Sequence, residues 1–277
     1  MALIPGFFID CVVAIGLPSE KKEGEWLASG FLYGDLTEGK EDGKNIYHVY
    51  LVTNRHVLKD LHLVILRFNP IGGEQAKIYT LHLIDDSSKK LLWTSHPNPN
   101  IDIAVILINW QLLKKEQIKY NFFLSDQHVT PLSKISELGI TEGDCVFILG
   151  FPMGLIGAER NYVIVRGGNI ARIQDAIDRK SNEFLIDAFT FPGNSGGPVV
   201  TKPELVSIKG TKAVGSSYLL GIVSGYLPYL DFAISEQTKR RRVMFEENSG
   251  LTAVIPIDFV KEAIEEHKKT MAKEMPS

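Results

Sequence analysis

Cysteine is scarce in this sequence: 277 residues hold only Cys11 and Cys145. Each lies in an apolar run (CVVAIGL and CVFILG), far from the other. Two buried, reduced thiols are the expectation, with a disulfide as the alternative. So few cysteines suit a reducing compartment, and a cytoplasmic location is expected. An excess of charge of one sign is also missing. The formal net charge is −3, which gives no reason to expect nucleic acid or a membrane as a partner. Long apolar runs are absent too. The N-terminal MALIPGFFIDCVVAIGL lacks a basic leader region, contains Asp10 and offers no small-residue cleavage site. It is too short and too interrupted to span a bilayer. No metal-ligand spacing, dinucleotide fingerprint or phosphate-binding loop occurs, so neither a metal nor an organic cofactor is expected. There is no internal repeat and no low-complexity segment.

What the sequence does contain is a series of short β-branched and aromatic runs. They include FIDCVVAIG, YHVYLVTN, HLVILRF, DIAVILI, DCVFILG, NYVIVRGG and YLLGIVSG, bounded by Gly, Asn, Asp or Pro. Strands at this density predict an all-β barrel or sandwich. The first core strand is expected over Phe7 to Leu17. Two segments predict helices: Trp110 to about Gln117, and Asp258 to Lys273. In the second, Asp258 is an N-cap candidate, and Phe259/Ala263 and Val260/Ile264 form apolar pairs four residues apart. The polar stretch from Leu113 to Ile140 reads as a linker between two strand-rich halves. Gly34 to Lys44, Lys202 to Ser217 and Asp231 to Gly250 read as surface loops.

The strongest chemical signal is Gly193-Asn194-Ser195-Gly196-Gly197-Pro198. Acyl transfer needs a nucleophile and, beside it, donors for the oxyanion that follows attack. A serine in a glycine-rich turn supplies both. The Gly193-Asn194-Ser195 turn is the candidate oxyanion site, with the N–H groups of Gly193 and Ser195 as its donors. A plain hairpin or a phosphate-binding nest is the alternative use of such a turn. A serine hydroxyl needs a general base near neutrality. Among seven histidines, His56 ends the probable buried strand YLVTNRHVL. His48, His62 and His82 read as surface strand positions, His96 and His128 as loop residues, and His267 as part of the terminal helix. The base needs an orienter, and Asp102, framed by Ile101 and Ile103, is the candidate. An unpaired carboxylate there would cost on the order of several kcal/mol to bury. The alternative is an Asp capping its own turn.

TNRHVL, NIDIAVILI and GNSGGPV follow one another in the order His, Asp, Ser, which resembles the trypsin-like serine protease superfamily. ASGFLYG, LGFPMGL, Asp187-Ala188, LLGIVSG and TAVIPIDFVKEAI are similar to segments of its HtrA/Deg-type branch, so that the resemblance spans about Phe7 to Glu266. It implies a chymotrypsin-like, all-β fold of two six-stranded antiparallel barrels with a C-terminal helix. The barrels would occupy 1–115 and 136–257, with a linker at 116–135 and the helix and tail at 258–277. It implies a serine endopeptidase with His56, Asp102 and Ser195 as catalytic triad. Ser224, Gly225 and Tyr226 would then pair with an extended protein or peptide substrate as an added strand.

The chain departs from that pattern in places. HtrA-type proteins usually add a PDZ domain, and 277 residues leave no room for one. The digestive enzymes have Asp before the nucleophile, where this chain has Asn194, so no activation switch of that type is expected. The resemblance puts the specificity position six residues before the nucleophile, at Phe189. An apolar residue there offers a Lys or Arg side chain no partner, so small or medium apolar P1 residues are expected, with Phe191 and Tyr226 narrowing the pocket. The basic run Lys239-Arg240-Arg241-Arg242 reads as a solvated loop tip or a contact for an acidic partner. The rival functional reading is a non-catalytic or partner-gated interaction module on the same fold, which leaves room for a regulatory protein partner.

Overall fold

The computed structural model describes residues 4–19, 24–204, 206 and 211–274. After a short helix α1 (Gly6–Ile9), the N-terminal half builds β1 (Val12–Leu17), β2 (Glu25–Glu41), β3 (Lys44–Thr53), helix α2 (Arg55–Leu58), β4 (Leu63–Phe68), β5 (Lys77–His82), β6 (Thr94–Ser95) and β7 (Ala104–Leu107). These strands form one curled sheet in the order β5-β4-β1-β2-β3-β7-β6. Helix α3 (Trp110–Lys115) then leads to β8 (Phe123–Leu124), which pairs in parallel with Tyr33 and Gly34 of β2. Helix α4 (Leu132–Leu138) leads into the second half, made of β9 (Cys145–Gly150), β10 (Ile164–Arg172), helix α5 (Gln174–Ile177), β11 (Phe184–Asp187), β12 (Pro198–Thr201), β13 (Leu219–Ile234) and β14 (Arg241–Pro256). Here the strands close into a six-stranded barrel, β10-β11-β14-β13-β12-β9. Closure leaves no unpaired sheet edge within the barrel wall. Helix α6 (Asp258–Glu274) ends the described chain. No helix among the described residues is long and apolar enough to cross a membrane.

Each half has its own apolar filling, as strands with one buried face require. Val13, Ile15, Leu32, Leu51 and Leu66 fill the first sheet. Ile148, Phe184, Ile186, Val199 and Val254 fill the barrel. A third cluster joins the halves, with Phe31 and Phe123 from the first packed with Leu149 and Ile222 from the second. Phe259, Val260, Ala263 and Ile264 of α6 belong to this cluster, so the terminal helix seals the seam. The i,i+4 apolar pairs seen in the sequence are therefore its buried face.

The mostly-β architecture with a terminal helix is the expected one; the first half curls as an eight-stranded sheet beside the closed barrel. Several local expectations differ. Phe7 to Ile9 are helical and β1 begins only at Val12, because Phe8 turns inward against Phe123, with ring centroids 4.7 Å apart. Gly34 to Lys44 is the end of β2 and its turn into β3 rather than a loop. The region 231–250 is likewise a hairpin, in which β13 and β14 run on past the barrel as a two-stranded ribbon. Lys202 to Ser217 contains residues outside the described set, so its middle is not compared.

His96 and His267 are buried. His96 Nε2 lies 3.0 Å from Glu262 Oε2 of α6, and His267, itself on α6, has Nδ1 3.0 Å from Thr94 Oγ1 of β6. Both cysteines are free thiols.

Two outcomes follow from this packing. Phe184 is fully buried in the barrel, so Phe184→Ala should lower unfolding free energy by about 3–5 kcal/mol in a urea titration. Glu142 accepts hydrogen bonds from the backbone N–H groups of Ile173 (2.9 Å) and Gln174 (3.1 Å) at the start of α5. The Ile173 bond is the largest cause holding its carboxyl down at about 2 from an ordinary 4.5. A depressed folded value means that its stabilisation is complete above the ordinary value and is lost as pH falls toward 2. Urea titrations of Glu142→Gln should show a shallower fall in stability between about pH 4.5 and pH 2 than the parent protein.

Candidate active site

β3 delivers His56. The strand ends at Thr53, and Asn54 turns the chain into α2, whose second residue is His56. Asp102 lies in the turn before β7, where Asn54 Nδ2 donates to its carbonyl at 2.9 Å. Its carboxylate receives the backbone N–H of His56 at 2.9 Å through Oδ1 and contacts the imidazole Nδ1 through Oδ2. Burial pushes the Asp102 carboxyl up. The hydrogen bond and charge of the His56 ring, the His56 N–H and the Arg55 charge together outweigh it and leave the group below its ordinary value. An ionised carboxylate only accepts, so Nδ1 is the donor in this contact. The alternative of an Asp capping only its own turn does not describe this contact.

Ser195 lies in the tight turn between β11 and β12. Gly193 has φ +98° and a Cβ there would stand 2.4 Å from Phe151 O, so only glycine fits. Gly196 has φ +82°, and a Cβ would fall 2.1 Å from Ser29 O and 2.3 Å from Thr53 Oγ1. The turn is thus pressed against the end of the strand that carries His56. Ser29 is the link. Its N–H donates to Ser195 O at 2.9 Å, and its hydroxyl donates to Gly193 O at 2.7 Å while accepting the Phe151 N–H at 2.9 Å. Its own carbonyl accepts the Thr53 hydroxyl at 2.9 Å.

The N–H groups of Gly193 and Ser195 have no hydrogen-bond partner among the described residues. Asn194 differs from the expectation. Its N–H donates to Phe191 O at 2.9 Å and its Oδ1 accepts the Phe191 N–H at 3.0 Å, so it staples the turn and is not an oxyanion donor. No hydrogen bond joins Ser195 Oγ to His56 Nε2 among the described residues. Such contacts are often loose before a substrate is present.

A cavity of about 370 Å³ opens beside Ser195, lined by Phe191, Val223, Gly225, Tyr226 and Glu246 among others. Phe191 and Tyr226 both line this cavity. Phe189 does not: it is 51% exposed, is absent from the cavity wall, and has its ring turned toward Gly250. The expectation of an apolar pocket floor there is corrected. Glu246 was missed, because it falls in the segment read as a loop. Ser224 lies in a bulge of β13 between Val223 and Gly225. β12 accompanies β13 only from Leu219 to Ile222, and the Val223–Gly197 backbone bond ends that ladder. Beyond it, the β12-side edge of Ser224, Gly225 and Tyr226 has no strand partner among the described residues. Among those residues, no group of three His, Cys, Asp or Glu is placed to hold a metal ion.

A family model described as the trypsin-like peptidase domain matches residues 28–206. Two solved structures are similar to this chain to different degrees. The protease domain of MamO from Magnetospirillum magneticum, in its apo form, is 16% identical with a TM-score of 0.47, over 92% of this chain and 96% of that one. Human heparin binding protein is 9% identical with a TM-score of 0.50, over 94% of this chain and 91% of that one. The second likeness supports a chymotrypsin-like fold. No curated protein sequence matches the chain.

Ser29 generates the prediction for this site. Ser29→Ala removes one buried hydroxyl and strands the Phe151 N–H and the Gly193 carbonyl. Stability should fall by about 1–3 kcal/mol in a urea titration. Hydrogen exchange at the Phe151 amide should accelerate relative to the amides of β10.

Proposed function

We propose, because the chain belongs to the trypsin-like peptidase domain family, that it acts as a serine endopeptidase through Ser195, His56 and Asp102. The observation that carries this reading is the pair of N–H groups on Gly193 and Ser195 that have no hydrogen-bond partner among the described residues, together with a histidine whose Nδ1 is held by a carboxylate. Ser195 Oγ attacks the scissile carbonyl carbon and gives its proton to His56 Nε2. The carbonyl oxygen becomes an oxyanion held by the two N–H groups. The C–N bond then breaks as the imidazolium returns the proton to the leaving amine. Water, deprotonated by the same histidine, hydrolyses the acyl-enzyme and restores the serine. Asp102 keeps the imidazole in one tautomer and stabilises its cation. The open edge at Ser224, Gly225 and Tyr226 takes the substrate as an added strand.

Within the family, LGFPMGL and TAVIPIDFVKEAI favour an HtrA/Deg-type relationship. The two unpaired thiols favour a reducing, cytoplasmic setting. One observation favours a second reading, in which a regulatory protein partner gates activity: Ser195 and His56 are not hydrogen-bonded to each other.

A fluorophosphonate probe tests the proposal. Native protein should label, and Ser195→Ala should not. Asp102→Asn should lower kcat by about 10⁴-fold through the wrong tautomer. Absence of labelling in purified protein and in cell extract alike, with Ser195→Ala indistinguishable from the parent, would reject the enzymatic reading. Labelling confined to extract would favour the gated one.

A further inference from the structure

The cavity beside Ser195 is built from two kinds of surface. Phe191, Pro192, Val223 and Pro228 supply apolar walls. Into the same space comes one carboxylate, Glu246, from the ribbon that β13 and β14 form beyond the barrel. The register explains how it gets there. Glu246 pairs with Leu230, and Asn248, two residues on, pairs with Pro228. Residues two apart in a strand share a face. Asn248 uses that face to donate through Nδ2 to Thr190 O at 2.7 Å, which ties the ribbon to the cavity wall. Glu246 therefore projects toward the same side. The Tyr226 hydroxyl donates to Glu246 Oε1 at 2.6 Å and fixes the carboxylate against the wall. Its second oxygen has no partner, and no basic side chain pairs with Glu246, among the described residues. Arg166 lies with its guanidinium 5.3 Å from the Phe191 ring centroid and does not line the cavity.

We propose that Glu246, oriented by Tyr226, makes this cavity a recognition site for a cationic side chain, so that the protein prefers Lys or Arg at the residue preceding the cleaved bond. The chemistry matches part for part. Lys and Arg carry apolar stems that lie along apolar walls and charged heads that seek a counter-ion. The Glu246 carboxylate, which is exposed, lines the cavity and has no basic partner among the described residues, supplies that counter-ion. A neutral apolar side chain would gain only the walls. The preference replaces the apolar one expected from Phe189, which is not in the cavity. The catalytic half of this proposal rests on the serine endopeptidase reading; the binding half does not.

Two measurements separate them. Calorimetry with benzamidine, a small cation, and benzamide, its neutral isostere, should show that the parent protein and Ser195→Ala both bind the cation and not the isostere. Glu246→Gln should weaken benzamidine binding at least tenfold, Tyr226→Phe by a smaller factor, and Glu246→Asp should retain part of it. Circular dichroism melts of each variant establish that the fold is kept. The second measurement uses matched peptides that differ only in Arg, Lys, Leu or Ala before the cleaved bond. The parent should favour Arg and Lys in kcat/KM, and the Arg-to-Leu ratio should fall at least tenfold in Glu246→Gln. Absence of benzamidine binding, or equal binding by Glu246→Gln, overturns the proposal, as does a preference for Leu or Ala. Benzamidine binding that depends on Glu246, with no fluorophosphonate labelling of Ser195 and no cleavage, would support the cationic site and reject the endopeptidase reading alone.

Discussion

The geometry of the site depends on where five consecutive carbonyl groups point. Phe191 O accepts the Asn194 N–H, Pro192 O the Met153 N–H, Asn194 O the Gly197 N–H, and Ser195 O the Ser29 N–H. Gly193 O accepts the Ser29 hydroxyl. A trans peptide is planar and holds its N–H opposite its C=O. Anchoring Pro192 O to Met153 therefore turns the Gly193 N–H the other way, and anchoring Asn194 O to Gly197 does the same for the Ser195 N–H. The two free donors are a consequence of the carbonyls being taken. Ser29 holds two others of the five, Gly193 O and Ser195 O, and it belongs to the first sheet, so the turn of one half is held in place partly by a strand of the other.

That coupling also explains the buried polar seam. Ser29, Thr53 and Asn194 are almost wholly buried, in a region where uncompensated polar groups are costly. Ser29 and Thr53 find their partners across the seam or along it. The adjoining apolar cluster of Phe31, Phe123, Leu149 and Ile222 excludes water from the junction. His56 and Asp102 are graded in exposure: the imidazole is 51% exposed and the carboxylate 23%. The imidazole is the more open of the two, as the proposed general base has to be, and the carboxylate is the more shielded.

The parts of the site that were readable in the sequence are those confined to short segments. GNSGGP requires Gly193 and Gly196 because of positive φ and close backbone approach, and these demands leave a local signature. TNRHVL and NIDIAV were readable as strand ends for a similar reason: each polar residue interrupts an apolar run. Ser29 lay within the recognised ASGFLYG segment, but nothing local revealed its hydrogen bonds, whose partners are 122 and 164 residues away. Nothing local marked His96 and His267 as buried, because their hydrogen-bond partners lie 166 and 173 residues away along the chain. Phe189 misled because counting back from the nucleophile fixes sequence distance and not the direction of a side chain in an irregular turn. The two hairpin extensions, 34–44 and 231–250, looked like loops because a ribbon exposed on both faces needs no apolar alternation.

The ribbon bears on how the cavity and the reactive groups relate. A two-stranded hairpin is marginal by itself, and its position has to come from contacts with the body of the protein. Here those contacts are few and lie near the cavity: Asn248 to Thr190 O, the Ser249 hydroxyl to Leu227 O, and Tyr226 to Glu246. The bonds that hold the ribbon in place thus include one that presents a carboxylate to the cavity. None of them touches His56, Asp102 or the carbonyls that orient the Gly193 and Ser195 N–H groups. In the proposed reading, reactivity and side-chain recognition are consequently built from separate hydrogen-bond sets. This separation allows the charge of the cavity to differ from what the residues nearest the nucleophile suggest.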